Sequence, residues 1–138
     1  NYIKAREYEN VELRVNITTS VYNYIYISDV IDMLLPIWPK VVSFGVPHQS
    51  MFLEHSVPVP HRLEITNKLK NSIKLLLQSK IQSDQRDNAV FALNSIIKNL
   101  NFEFNFEQYN NLKQFVHNMD TVKKISIKDY CPEVAAYF

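Results

Sequence analysis

The sequence predicts an α+β fold, a small N-terminal antiparallel sheet packed against a C-terminal group of about three helices. Three observations carry that expectation. Apolar and polar side chains alternate through the first third of the chain. Apolar residues recur at helical spacing from residue 62 onward. Between the two lies a stretch, residues 45–61, that holds the only glycine, three of the six prolines and three of the four histidines. The 138 residues therefore read as a single domain, with a β-rich part (1–46), a proline and histidine junction (45–61) and a helical part (62–138).

Each element has its own signal. Residues 11–17 alternate, with Val11, Leu13, Val15 and Ile17 on one face of a strand. Thr18, Thr19 and Ser20 turn the chain. Residues 21–27 are dense in β-branched and aromatic side chains and predict the second strand of a hairpin. Ser28 or Asp29 caps a short helix over residues 30–35, which Pro36 and Pro39 end. Residues 41–44 form a third strand, closed by Gly45 and Pro47, and residues 49–55 a helical turn or two.

Ile65, Leu69, Ile73, Leu76 and Leu77 share one face of a helix from about residue 61 to 81. Ser83 or Asp84 caps the next helix, whose face is Ala89, Val90, Leu93, Ile96, Ile97 and Leu100. The short connection makes these two helices antiparallel neighbours. Asn105 caps a third, with Gln108 as its capping-box partner and Tyr109, Leu112, Phe115, Val116 and Met119 inward. Alternation at Ile125 and Ile127 predicts a returning strand over residues 122–127, and the tail from Pro132 a short helix.

Composition narrows function by exclusion. A hydrophobic share of 46% and a charged share of 21% mark a globular chain. A formal charge of +1 lacks the basic excess of a nucleic-acid module, so only a local patch serves that role. The single cysteine, Cys131, rules out a disulfide within the chain and a cysteine-based zinc site, and fits a reducing compartment. One glycine is too few for GxGxxG or Walker A loops, which need glycine where backbone N–H groups approach a phosphate. No GxSxG elbow occurs, and no apolar run nears the roughly 20 residues of a spanning helix. An intracellular location, cytoplasmic or nuclear, is expected. The chain begins at Asn1 without methionine, so a fragment of a longer protein is expected too.

Several motifs carry chemistry on paper and a plainer meaning in context. His48, His55 and His61 supply three imidazoles, enough for a catalytic zinc. Their spacings of seven and six differ from the four-residue helical zinc motif, and histidines beside prolines are usually surface groups. No metal and no cofactor are expected. These histidines are instead read as a pH-sensitive joint. Asp29 and Asp32 share a helix side, where first-turn acids favour the positive helix end. Cys131 and His117 could pair as nucleophile and base, but nothing marks the thiol as activated. Asn16, Ile17 and Thr18 spell a glycosylation sequon inside a predicted strand, where modification is not expected. Lys68, Lys70, Lys74 and Lys80 flank an apolar helix face and form no single basic stripe.

What remains is large side chains on unexpected faces. Leu75 and Phe91 lie off their helices' apolar stripes. Trp38 stands between two prolines, and Tyr22, Tyr24 and Tyr26 alternate along a predicted strand. Clustered on one surface, such residues mark a binding site. The expected function is therefore a non-enzymatic protein–protein interaction or assembly domain of a larger complex. Its partner is another protein or a second copy, met through Tyr22, Tyr24, Tyr26, Trp38, Leu75 and Phe91. One alternative is a nucleic-acid module built on Lys123, Lys124 and Lys128, with the tyrosines as stacking platforms. A second is an enzyme whose site is the histidine-rich junction.

Overall fold

The computed structural model describes residues 14–20, 23–39, 41–45, 56, 59–124, 126–130 and 132–136. Over these the chain is α+β, with a two-stranded sheet near the N-terminus and helices after it. Strand β1 (Arg14–Thr18) is followed by a 3-10 turn at Tyr24–Tyr26, helix α1 (Ile27–Leu34) and a second 3-10 turn at Leu35–Ile37. Strand β2 (Val41–Gly45) comes next. Helices α2 (Val59–Gln78), α3 (Ser83–Leu100) and α4 (Phe106–Lys123) are long, and α5 (Ile127–Tyr130) and α6 (Pro132–Ala135) are single turns.

The sheet is parallel, which corrects the antiparallel expectation. Arg14 pairs with Val41 and Thr18 with Gly45, in unbroken register. The reason lies at residues 23–27, the described part of the expected second strand, which form a turn and helix instead. Asn23 accepts from the Ser20 N–H at 2.7 Å and donates to the Thr18 carbonyl at 2.8 Å. These local bonds compete with a strand ladder and hold a turn. The aromatic and β-branched residues after it then enter a 3-10 turn and a buried helix, which dense apolar composition does not distinguish from a strand. The hairpin becomes a crossover, and a crossover joins parallel strands. Accordingly α1 starts at Ile27, so Ser28 and Asp29 lie inside it and not at its cap.

The long helices largely follow their periodicity. Ile65, Leu69 and Leu76 of α2, and Ala89, Leu93, Ile96 and Leu100 of α3, are buried. Leu77 departs from expectation and is exposed, while Ser72 is fully buried. The cause is the crossing with α1, where the Ser28 and Ser72 hydroxyls meet at 2.7 Å. Two small polar side chains satisfy each other there and rotate the buried face toward Ser72. Helix α4 begins as expected, with the Asn105 side chain accepting from the Gln108 N–H at 2.9 Å. Helix α3 does not: its N-cap is Gln82, and Ser83 and Asp84 fall in the first turn.

The strand expected over residues 122–127 is also replaced. Lys124 adopts φ 54° at the end of α4, and the Asp120 carboxylate accepts from the Ile127 N–H at 3.2 Å. Asp129 accepts from the Ser126 N–H, which starts α5 in place of a strand.

Arg62 joins α2 to the end of α3. It is buried near the start of α2 and donates to the carbonyls of Leu100 and Phe102 at the end of α3. Its guanidinium also lies 5.4 Å from the centroid of the Phe104 ring. The contact shows α2 and α3 running antiparallel, and it supplies donors to helix-end carbonyls that would otherwise be buried without partners. Replacing Arg62 with Met keeps the apolar stem and removes the donors. Urea unfolding is expected to show a loss of about 2–3 kcal/mol, the scale of charged hydrogen bonds to buried acceptors.

Candidate functional site

Helix α3 has two working faces. Ala89, Leu93 and Leu100 turn toward α2 and the core. Asn88, Phe91, Ala92, Ser95, Ile96 and Asn99, spaced by three and four residues, turn toward β2. Between this face and β2 runs a groove of about 480 Å³, lined also by Thr19. All five residues of β2 line it. A sheet face would present only alternate residues, so the strand borders the groove along its edge. Small side chains at Ala92 and Ser95 keep the space open, and Phe91, 74% exposed, stands at its wall.

The lining is uncharged throughout, and none of its side chains titrates near neutral pH. Its polar groups are the hydroxyls of Thr19, Ser43 and Ser95 and the amides of Asn88 and Asn99. Several are already used within the fold. Thr19 donates to the Gly45 carbonyl through both its N–H and its hydroxyl, Ser95 donates to the Phe91 carbonyl, and Ser43 donates to Asn16. The groove thus offers apolar surface, three hydroxyls, two amides and backbone, with no carboxylate, imidazole, amine or thiol among its lining side chains.

Five of the six residues expected at a partner surface are described, and the structure places them in different surroundings. Tyr24 is 1% exposed and serves the core. Tyr26 and Trp38 are half-buried and pack against that core. The Tyr26 hydroxyl donates to the Glu133 carboxylate on α6. Leu75 is half-buried on α2 and lines no part of the groove. Tyr22 lies outside the described residues. Of the five described, Phe91 alone lines the groove. Lys123, Lys124 and Lys128 are exposed about the α4–α5 turn, with Asp120 and Asp129 placed in the same turn.

Of the three junction histidines only His61 is among the described residues. His48 and His55 lie outside the described residues, as does Cys131. His117 is exposed, and Asp29 and Asp32 are exposed on α1. Among the described residues, no group of three or more His, Cys, Asp or Glu is placed to hold a metal. No described helix is long and apolar enough to cross a membrane.

His61 is buried at the start of α2. Burial lowers its pKa below the ordinary 6.5, and Lys68 adds to this, against the opposing pull of Glu64 and Glu133. Glu133 is held below the ordinary 4.5, first by the hydrogen bond from Tyr26.

Residue reasoning on sequence missed the β2 edge and the small-residue face of α3. The signal present was the second stripe of Asn88, Ala92, Ser95 and Asn99 beside the apolar one. No family model, curated protein or solved structure matches this chain.

The two shifts give stability the same sign of pH dependence. A histidine whose folded pKa is depressed takes up its proton more readily unfolded, so stability is full above about 6.5 and falls as pH drops below it. Glu133 adds a loss only below about 4.5, as its carboxylate protonates. Unfolding midpoints measured from pH 8 to pH 5 are expected to decline, and His61→Gln to flatten that decline.

Proposed function

We propose that this chain is a non-enzymatic protein-interaction domain whose docking surface is the groove between β2 and α3. One observation carries the reading: a cleft of about 480 Å³, bounded by a strand edge and a helix, whose lining is uncharged and includes a phenylalanine 74% exposed. An aromatic anchor beside a desolvated cleft is the usual centre of a protein interface. The absence of titratable side chains from the lining favours binding over catalysis at this place.

The partner is another protein or a second copy of the chain. Analytical ultracentrifugation and capture on immobilised full chain test the reading together, with Phe91→Asp beside the wild type. Phe91 is exposed, so the variant folds. Wild type is expected to self-associate or to hold a protein partner, and Phe91→Asp to weaken that binding by at least about tenfold, as for an interface anchor. A wild type that stays monomeric at high concentration, and captures the same proteins as Phe91→Asp, overturns it.

A further inference from the structure

The backbone of β2 narrows what enters the groove. The Thr19 N–H donates to the Gly45 carbonyl at 2.9 Å, so the backbone groups of Gly45 face β1. In a parallel ladder a residue's N–H and C=O point to the same side, and the side alternates along the strand. Ser43 therefore also faces β1, and the N–H and C=O of Val42 and Phe44 face outward. The described sheet has only β1 and β2, so no described strand covers that edge.

We propose that the groove takes an extended, uncharged peptide segment of a partner protein, added to the outer edge of β2 as a third strand. This rests on the interaction reading above and names its partner. Outward donors and acceptors two residues apart match the repeat of another extended backbone, which is how strand addition gains affinity. The two walls agree in length: five strand residues and the three turns from Asn88 to Asn99 both span roughly 15 Å, room for about five residues. Alternate side chains of the segment would meet Phe91, Ala92 and Ile96 of α3. With no charge in the lining, a charged side chain buried there would lack a partner. A second copy of the domain fits less well, because α3 stands across the groove and admits one segment between itself and β2.

Amide exchange separates the outcomes. Random peptides displayed on phage are selected on the full chain, and the tightest is synthesised. Exchange is then read by NMR on labelled protein, with and without it. In the free chain, Val42 and Phe44 amides are expected to exchange at least about tenfold faster than those of Ser43 and Gly45, as unpaired edge groups do. The peptide is expected to be uncharged at the inward positions, to slow Val42 and Phe44 selectively, and to lose binding to Phe91→Asp. Ala92→Trp, which fills the groove, provides a second block. Two results overturn the proposal. One is protection of Val42 and Phe44 in the free chain, which means the edge is already covered. The other is selected peptides that bind both variants like wild type. Should protein capture depend on Phe91 while these two amides stay fast with every captured partner, the interaction reading stands and strand addition falls.

Discussion

The structure depends on the parallel pairing of β1 with β2. Antiparallel strands are closed by a tight turn, but parallel strands need a long connection that returns to the starting end of the sheet. Here that connection carries α1, whose Ile27, Ile31 and Leu34 are buried. A two-stranded sheet buries too little to stand alone, so its inward residues must be covered by helices. Ile17 lies in the core, and Val15, Val42 and Phe44 pack against it. Helix α1 packs on α2, α2 on α3, and α3 returns beside β2. The groove is the place where this circuit of packing comes back to the sheet without closing on it.

Buried polar contacts set the geometry of that circuit. At the α1–α2 crossing, Ser28 and Ser72 are small enough for close approach and satisfy each other's hydroxyls. At the far end of the hairpin, Arg62 spends its donors on carbonyls left unpaired where α3 stops. Apolar packing alone tolerates a helix sliding or rotating by part of a turn. A hydroxyl pair and an arginine bound to two particular carbonyls do not, because a shift would strand buried polar groups. The two contacts thus fix the rotation of α2 and the position of α3, and with it the wall that faces β2.

The long helices were legible because each buries one stripe, and a stripe is visible at a period of 3.6. Leu93 and Leu112 are fully buried, as their spacing requires. Asn105 was legible as a cap because its role is local, decided by the three residues that follow. The region around residues 21–27 was not. Tyr24, Ile25 and Ile27 are buried from several sides, and such a run reads the same for a strand and for an inner helix. Asn23 settled the matter by bonding to Thr18 and Ser20, a choice that composition does not reveal. Of the candidate site only Phe91 stood out beforehand, since it broke the stripe of its own helix. Tyr24 and Tyr26 stand in the 3-10 turn that takes the place of the expected strand, with Tyr24 in the core.

By itself the sequence determined the α+β class, the three long helices and most of their inward faces, the start of α4, and the lack of glycine-loop nucleotide motifs. All of these follow from periodicity, composition or bonds between near neighbours. Tertiary structure alone decided that the strands run parallel, that Ser72 and not Leu77 is buried, and that an uncharged groove separates β2 from α3. Those outcomes turn on which distant segments meet: residue 18 with 45, 28 with 72, 62 with 100. Contacts of that kind leave no period in the chain. The physical reason is that they are chosen by the sum of packing over the whole core, where one residue's preference weighs little.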